Sequence, residues 1–595
     1  MSNRKNTYTG QIEFARQKIK TFKHQLLYLS LGRLLFFIII FGAPVLLWSY
    51  SQLLAVVIII LPLIIFLVLL KQFQKVSFLK QYHENKKKIF ELEIEALSHH
   101  YKQFDEGAEF VDPTHFNSYD LDIFGRGSLF QFLNRTVTPS GKQTLAKMLM
   151  RPILEPKQIE NRQKIITELA EDLSWRVKFA ALGKMYSEKE NENELFESWS
   201  KDDFHLKTKK ITLFLLFILP AIAVLSLLYW IFTGISALFI FSGIIQFCFW
   251  LVEKKNISRI YQSFGKRIDI LKKYTHLLRL IECKNWISDE GNEISKQLKE
   301  NGLPSVEIRK LSRIVDAFDN RNNIIGIVLN VVIAWDLMCS YRIIKWHNRN
   351  KTHLPEWSYA LSFIDALNSL SNFTYNYQEN SFPRPVNSDF FIEAEQMGHP
   401  LLHADKRINN NFSFSPENNV IIITGANMAG KSTFLRTVGV NMLLAMCGAP
   451  VCAQRMHFKP AEVFSNMRTT DSLFDDESYF FAELKRLQTI LVEIEHGREM
   501  LIILDEILKG TNSVDKLLGS QKLIQKLIAK NCKAIIATHD LKLTELETNF
   551  PDKIKNQCFE IEIDKDEMHF DYTLRNGVTN TMNATFLMKK MEIID

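Results

Sequence analysis

The stretch that decides the fold runs from Val420 to Thr433 and reads VIIITGANMAGKST. Its first five residues are apolar or β-branched, which is typical of a strand buried in a parallel sheet. They lead directly into the pattern G-x-x-x-x-G-K-S, in which Gly425 and Gly430 let backbone N–H groups curve around an anion at the start of a helix. The sequence therefore predicts a strand, a phosphate-binding loop and a helix, in that order.

The loop also carries the polar side chains that a nucleoside triphosphate requires. Lys431 would neutralise the β- and γ-phosphates, and the hydroxyl of Ser432 would hold Mg²⁺. Asn427 and Thr433 are further candidates for contacting the nucleotide, because they belong to the same loop. We therefore predict that this site binds ATP together with Mg²⁺, and that Lys431 also contributes to catalysis.

Two further apolar runs end in residues suited to hydrolysis. Leu501–Leu504 is followed by Asp505 and Glu506, and we predict Asp505 as a metal ligand and Glu506 as the general base for the attacking water. Ala534–Thr538 is followed by His539, which would hydrogen-bond the γ-phosphate or that water. Because the carboxyl ends of parallel strands meet at one sheet edge, these residues are expected to converge on the phosphate loop.

The composition of the whole chain sets broader limits. Of its 595 residues 47% are hydrophobic, which excludes a disordered chain, and at roughly 100–200 residues per domain the length predicts several domains. The net charge, 73 Lys and Arg against 66 Asp and Glu, is only +7 and excludes no class of partner. The seven Cys include no C-x-x-C pair, which is typical of reduced thiols in a cytosol-facing protein.

Two long runs, Leu34–Leu70 and Ile211–Val252, contain no charged residue. One membrane-spanning helix needs about 20 residues, so each run is long enough for two spans joined by a turn. The turns are predicted at residues 49–52 and at Thr233-Gly234, which gives spans near 34–48, 53–70, 211–232 and 235–252. Buried core helices are the alternative, but uncharged runs of this length are rare in soluble cores.

The flanks of these runs predict their orientation. The segment before the first run is basic, whereas neither predicted hairpin turn carries Lys or Arg, so the positive-inside rule places everything except the turns in the cytoplasm. We therefore expect a multi-pass protein of the inner or plasma membrane, with both termini and the nucleotide site cytoplasmic. The basic residues before the first run are Arg4, Lys5, Arg16, Lys18, Lys20, Lys23 and Arg33.

The remaining chain reads as helical until two prolines at Pro383 and Pro385, where strand-like runs begin. Long helices are predicted over 71–104 and 253–283, and Asn323–Met338 is assigned to a soluble helical core because it is too short and too polar for a fifth span. The predicted units are a cytoplasmic segment (1–33), a first hairpin (34–70), a juxtamembrane helix (71–112), a first core part (113–210), a second hairpin (211–252), a lever and second core part (253–385) and an ATPase domain (386–595).

Three motifs resemble the ATPase domain of the MutS mismatch-repair proteins. They are TGANMAGKST at Thr424–Thr433, Asp505-Glu506 followed by Gly510-Thr511, and Ala537-Thr538-His539. The resemblance implies a P-loop ATPase fold of the ABC and MutS type, ATP hydrolysis, and a homodimer with composite sites. It also implies DNA as a ligand, contacted through its phosphates.

The same resemblance assigns two further nucleotide contacts. Ser478–Glu483 (SYFFAE) looks like the family's signature segment, and the resemblance implies that Ser478 reaches the γ-phosphate bound to the other subunit. Met397–Pro400 (MGHP) looks like the entry into the ATPase domain, which implies that His399 lies close to the adenine.

Upstream, the match is less specific but longer, and it covers roughly residues 113–200 and 257–590. Leu129–Thr136, Gly141 and Arg151-Pro152 look like the start of the family's helical core, and Asp365–Leu370 looks like its return into the ATPase domain.

Three departures from the family limit the expected function. We expect no N-terminal mismatch-reading domain, and we interpret Phe104-Asp105-Glu106, a literal match to the family's Phe-x-Glu wedge, as coincidental. The hairpin at 211–252 occupies the place of the family's lever and DNA clamp. We also expect no C-terminal helix-turn-helix to secure the dimer.

We therefore expect a membrane-anchored, MutS-like ATPase that acts as a dimeric conformational switch related to DNA mismatch repair or damage sensing. One alternative is a transport ATPase of the ABC type, which the small number of spans and the lack of a Leu-Ser-Gly-Gly-Gln signature disfavour. The other is a nucleotide-gated membrane scaffold that does not bind DNA.

Overall fold

The computed structural model describes residues 2–47, 52–186, 195–204, 210–300, 302–322, 324–468, 479–509, 512–564 and 567–579. Over these residues the chain combines long apolar helical hairpins, a largely helical core and an α/β region with two mixed β-sheets. The helices before the α/β region are α1 (Ser2–Leu47), α2 (Gln52–Leu97), α3 (Leu129–Leu133), α4 (Pro139–Met150), α5 (Pro156–Glu171), α6 (Leu173–Gly183), α7 (Leu195–Lys201), α8 (Lys210–Thr233), α9 (Ala237–Phe264), α10 (Ile268–Cys283), α11 (Asp289–Glu300), α12 (Pro304–Asp319), α13 (Ile324–Ile333), α14 (Trp335–Asn350) and α15 (Leu354–Asn376).

The α/β region follows α15 and contains both sheets. Its strands are β1 (Arg384–Pro385), β2 (Ile392–Met397), β3 (Asn410–Phe414), β4 (Val420–Gly425), β5 (Arg455–Phe458), β6 (Glu462–Asn466), β7 (Met500–Asp505), β8 (Lys533–Ala537), β9 (Ile554–Asp564) and β10 (Glu567–Asn576). Its helices are α16 (Lys431–Met446), α17 (Tyr479–Glu495), α18 (Ser513–Ala529) and α19 (Leu546–Asn549).

The larger sheet has the strand order β10-β9-β4-β8-β7-β6, with β10 antiparallel to β9 and all other pairs parallel. Strand β4 is central and completely buried. Ile421 and Ile423 pack into the core shared with the helices, whereas Val420 and Ile422 pack into a second core on the other face. Burial on both faces explains the continuous apolar run, and the three strands predicted from the sequence are confirmed as β4, β7 and β8.

Two helical hairpins extend from the core. Helices α1 and α2 have 46 residues each, about 69 Å at 1.5 Å per residue, and they pack along one another. Helices α8 and α9 form the second pair. Among the described residues, these four helices are long and apolar enough to cross a membrane, judged by length and composition. The spans predicted near 53–70 and 211–232 lie within α2 and α8, and those near 34–48 and 235–252 coincide largely with α1 and α9. Membrane crossing itself stays a prediction.

The first predicted juxtamembrane helix is shorter than expected at its C-terminal end. Helix α2 ends at Leu97, whereas the pattern predicted a helix to residue 104. Phe104 lies in the following loop, with the guanidinium of Arg135 3.5 Å from its ring centroid. Asp105 forms an ion pair with Lys142 at 2.7 Å. Both side chains therefore have structural partners within the chain, and the interpretation of the Phe-x-Glu match as coincidental stays a prediction.

The second predicted helix, over 253–283, is in fact two helices. Ile257 and Ile260 on α9 and Leu271 on α10 are buried, but α9 ends at Phe264 and α10 begins at Ile268. Lys266 between them has a positive φ of 60°, and its backbone N–H donates to the carboxylate of Asp319 at 3.0 Å. Apolar residues at helical spacing continue on both sides of the break, so the periodicity alone could not reveal it.

The segment assigned to a soluble helical core, residues 323–338, is divided between two helices in its described part. Helix α14 contributes buried residues to the helical core, but α13 packs against α8 and α9 of the second hairpin. Ala334, with a positive φ of 48°, separates the two helices. The sequence pattern did not reveal this division, because apolar residues that contact a hairpin resemble those that contact a core.

Helix α15 organises the helical core. Asp365 is fully buried and accepts hydrogen bonds from the backbone N–H of Val137 (3.1 Å) and from both the backbone N–H (2.8 Å) and the hydroxyl (2.6 Å) of Thr138. Burial raises the pKa of Asp365 to about 6. A Cβ atom on Gly141 would lie 2.2 Å from this carboxylate, so glycine is needed for α4 to approach α15.

Helix α2 is attached to the C-terminal end of α15 through a buried carboxylate. Glu93 accepts hydrogen bonds from Arg135 Nε (2.5 Å), Asn372 Nδ2 (2.9 Å) and Asn376 Nδ2 (2.9 Å). The hydroxyl of Tyr8, on α1, donates to the Asn376 side chain at 2.6 Å. The first hairpin is thereby connected to the helix that leads into the α/β region.

Replacing Glu93 with alanine is expected to destabilise the chain by about 3–5 kcal/mol, because it leaves the buried Arg135 guanidinium without its carboxylate. The control is Glu91→Ala, whose half-exposed side chain makes only solvent-screened ion pairs. Thermal melting of both variants in detergent, followed by tryptophan fluorescence, measures the difference. Equal melting temperatures for the two variants would show that the Glu93 cluster does not stabilise the fold.

Candidate functional site

A cavity of about 620 Å³ opens at the carboxyl ends of β4, β7 and β8. Such sheet edges are where ligands bind in parallel α/β structures. The cavity brings together most of the residues singled out in the sequence, although these lie far apart along the chain. Among the lining residues are His399, Asn427, Gly430, Lys431, Ser432, Thr433, Asp505, Glu506 and His539.

The loop between β4 and α16 has the geometry of an anion site. Gly430 adopts a φ of 101°, which favours glycine, and a Cβ atom on Gly425 would lie 2.8 Å from the carbonyl oxygen of Phe559. The Lys431 ammonium donates to the carbonyl oxygens of Gly425 (2.8 Å) and Ala426 (3.0 Å). Burial lowers the pKa of Lys431 to about 8, while the nearby carboxylates oppose that shift. The lysine is thus held within the loop, beside the position of an incoming anion.

Ser432 and Asp505 meet at the first turn of α16. The hydroxyl of Ser432 donates to the Asp505 carboxylate at 2.5 Å, so the two predicted metal ligands lie side by side, and their role as ligands stays a prediction. A hydroxyl and a single carboxylate fit Mg²⁺, which is usually held by one or two carboxylates together with substrate phosphates. The side chains present therefore suit the predicted cofactor.

Glu506 and His539 form the other side of the site. His539 Nε2 lies 2.9 Å from Glu506 Oε1, and both ring nitrogens lie 3.4 Å from the Lys431 ammonium. The hydrogen bond from His539 is the main cause that lowers the pKa of Glu506 to about 2, so this carboxylate is ionised at neutral pH. Glu506 also has a positive φ of 58°, which holds its side chain in an uncommon direction directly after β7.

The remaining predicted contacts have different outcomes. Asn427, Thr433 and His399 line the cavity. Burial, with Arg436 and Arg407 nearby, lowers the pKa of His399 to about 4, so its ring is neutral at pH 7. Ser478 lies outside the described residues, as do Gly510 and Thr511, and the signature segment therefore stays a prediction.

Tyr572 is a cavity residue that the sequence did not reveal. It lies on β10, where the pairing with β9 shifts register between Phe570 and Leu574, and it has a positive φ of 52°. Its ring approaches to within 3.0 Å of the position that a Cβ atom on Gly430 would occupy. No motif marks this tyrosine, because only the irregular strand pairing brings it to the phosphate loop.

Glu483 has a role that its motif did not indicate. This buried carboxylate on α17 accepts hydrogen bonds from the backbone N–H groups of Leu508 (2.6 Å) and Lys509 (3.1 Å). Leu508 has a positive φ of 59°, so Glu483 stabilises a strained turn that begins two residues earlier at Glu506. Hydrogen bonds through Glu483 therefore link helix α17 to the loop after β7.

Comparison with known proteins identifies the class to which this site belongs. The family model described as MutS domain V matches residues 421–589, which include most of the residues that line the cavity, and that of MutS domain III matches residues 113–212. Both models are of the MutS family, which confirms the resemblance read from the motifs.

Individual relatives agree with this similarity. The chain is 25% identical over 488 residues to the DNA mismatch repair protein MutS of Thermotoga maritima, a match that covers 76% of this chain and 60% of the relative. It is 25% identical over 468 residues to the protein of the same name from Caldanaerobacter subterraneus, covering 71% of this chain and 52% of the relative. MutS protein homolog 4 of Mus musculus is 29% identical over 230 residues, 37% of this chain and 24% of that protein. The chain thus spans about three fifths or less of these relatives.

Proposed function

We propose that this mismatch-repair-related protein is a membrane-anchored P-loop ATPase that binds and hydrolyses ATP and acts as a dimeric switch. The observation that carries the proposal is the convergence of Lys431, the Ser432–Asp505 pair and the Glu506–His539 pair at one sheet edge. This set provides a phosphate contact, a metal site and an ionised carboxylate beside the place of an attacking water.

The proposed mechanism uses mainly positioning and electrostatics, as is usual in phosphoryl transfer. Lys431 would exchange its two loop carbonyl partners for oxygens of the β- and γ-phosphates. Ser432 and Asp505 would hold Mg²⁺, which supplies neutralisation of phosphate charge. Glu506 would accept a hydrogen bond from the water and direct it at the γ-phosphate, with His539 fixing the carboxylate.

The positioning role of Glu483 gives a prediction for this mechanism. Glu483→Ala is expected to lower turnover roughly 10- to 100-fold with little change in ATP affinity, because the turn that presents Glu506 loses its anchor. Glu495→Ala, an exposed position on the same helix, is the control. Phosphate-release kinetics and nucleotide titration separate the two effects. Unchanged turnover in Glu483→Ala would remove Glu483 from the mechanism.

The dimer is proposed from family membership. Two nucleotide-bound α/β domains would meet across their sites, and hydrolysis would separate them. Light scattering of the detergent-purified Glu506→Gln variant tests this, since slow hydrolysis would trap the associated state. We expect a dimer with ATP and a smaller species without it. The same mass in both conditions would argue against an ATP-driven switch.

Membrane anchoring is proposed from α1, α2, α8 and α9, whose apolar faces are extensively exposed. The expected place is the inner or plasma membrane, with both termini and the nucleotide site cytoplasmic. Alkaline carbonate extraction of membranes tests the anchoring, because it releases peripheral proteins and leaves spanning ones in the pellet. Recovery of the chain in the carbonate supernatant would contradict it.

DNA is the proposed effector, since the relatives named above are DNA mismatch repair proteins. Binding through phosphates would weaken with salt because each neutralised phosphate releases counterions. Fluorescence anisotropy with matched and mismatched duplexes, at about 50 mM and about 200 mM salt, measures this effect. Salt-sensitive binding supports a DNA-responsive switch, whereas no binding at low salt would favour a nucleotide-gated membrane scaffold.

A further inference from the structure

We propose that α13 (Ile324–Ile333) is immersed in the membrane beside the second hairpin, where it contacts lipid acyl chains. The helix is not one of the four spans. One side of it packs against the second hairpin, and its exposed face would contact lipid rather than another protein. The inference rests on the proposed membrane anchoring, and it adds a fifth lipid-facing element to it.

The composition and exposure of α13 suit a lipid environment. Its sequence, IIGIVLNVVI, contains one polar residue and no charge. Val328 is 55% exposed and Val331 is 42% exposed, although both are apolar and lie on a helix that packs against the hairpin. Ten residues make a helix of about 15 Å, half the hydrocarbon thickness, so α13 could enter one leaflet without crossing the bilayer.

The contact between α13 and α9 indicates its depth. A Cβ atom on Gly243 would lie 3.6 Å from the Val331 side chain. Gly243 lies ten residues before Glu253, where the uncharged run ends, and nine after Gly234 in the turn at its other end. It is therefore near the middle of the hairpin, about 15 Å from the charged boundary. Val331 would share that depth with it.

The polar residues that argued against membrane contact, Asn330 and Asp336, have partners within the chain. The Asn330 side chain accepts a hydrogen bond from the backbone N–H of Asp336 at 2.8 Å and so begins α14. The Asp336 carboxylate forms an ion pair with Arg321 at 3.2 Å and accepts from the Trp250 indole at 3.3 Å. Trp250 lies three residues before Glu253, where an aromatic belt is expected. The Asp336 and Arg321 charges are thus paired with each other within the chain, so they do not oppose immersion of the apolar helix.

This arrangement gives the membrane a direct contact with the helical core. Helix α13 is joined to α12 and α14, and these two helices pack against each other and, through α12, against α10. A shift of α13 within the leaflet would therefore move the core helices without passing through the hairpin loops.

Single-cysteine labelling of the full chain in liposomes tests the proposal. The exposed Cys248 and Cys283 are first replaced, so that they do not react with the label. A polarity-sensitive fluorophore is then attached to the cysteine of Val328→Cys or of Val331→Cys. Leu225→Cys on α8 is the control for hairpin insertion, and Ile287→Cys, 86% exposed outside the hairpins, is the control for water. Quenching by acyl-brominated lipid is compared with quenching by iodide.

We expect the labels at Val328 and Val331 to follow Leu225, with strong quenching by brominated lipid and severalfold weaker quenching by iodide than at Ile287. If iodide quenched the labels at both valines as strongly as the label at Ile287, while the label at Leu225 stayed protected, the role of α13 would be overturned. Membrane anchoring would remain intact. Iodide quenching at Leu225 as well would overturn both.

Discussion

Replacing Glu506 with glutamine is expected to reduce ATP turnover by about 100-fold or more while ATP binding stays close to that of the wild type. Glutamine keeps the size of the side chain but removes the charge that His539 stabilises at 2.9 Å. The neutral amide accepts a hydrogen bond from water less strongly, so the nucleophile loses its orientation. Lys431 and the Ser432–Asp505 pair, which contact the phosphates and the metal in the proposed mechanism, are unchanged.

Single-turnover phosphate release and equilibrium nucleotide titration measure the two quantities separately. Glu545→Gln, an exposed glutamate next to α19, is the matched control and should behave like the wild type. Normal turnover in Glu506→Gln would show that another residue directs the water. If ATP binding and turnover were lost together, Glu506 would instead be needed to maintain the structure of the nucleotide pocket.

Replacing Lys431 with alanine is expected to weaken ATP binding by about 100-fold or more. A hydrogen bond to a charged group is worth about 1.5–3 kcal/mol, and the ammonium would make such bonds to two phosphates. The removed side chain also leaves the carbonyls of Gly425 and Ala426 without their donor, which loosens the loop. Both effects act on the ground state, so binding and turnover should fall together.

Titration with a fluorescent ATP analogue measures the affinity, and Lys526→Ala on the exposed face of α18 is the control. The pair of variants then separates two roles, since Lys431→Ala should fail at binding and Glu506→Gln at hydrolysis. Wild-type affinity in Lys431→Ala would exclude this loop as the phosphate site.

The central sheet and most of the site were predictable because their chemistry is local. A phosphate loop needs glycines, a lysine and a hydroxyl within a few residues, and Val420–Thr433 contains them all. Asp505 and His539 are distant in sequence but follow buried strands, so the rule for parallel sheets was enough to bring them together.

Other features depended on packing that no local pattern encodes. The turn that presents Tyr572 requires a register shift within β10, and the break at Lys266 is stabilised by the distant Asp319. The buried contacts of Glu93 join residues about 280 positions apart. Helix α13 shows the same limit, because hydrophobicity alone does not distinguish contact with a core from contact with a hairpin or with lipid.

The central claim, that this chain is an ATP-hydrolysing switch anchored in a membrane, is tested most directly by the steady-state ATPase rate of the full chain in liposomes. Wild type, Lys431→Ala and Glu506→Gln would be compared with and without DNA. We expect Mg²⁺-dependent phosphate release in the wild type, stimulation by DNA that fades with salt, and near loss of activity in both variants. Phosphate release at equal rates in all three proteins, or none in the wild type under any condition, would contradict the account.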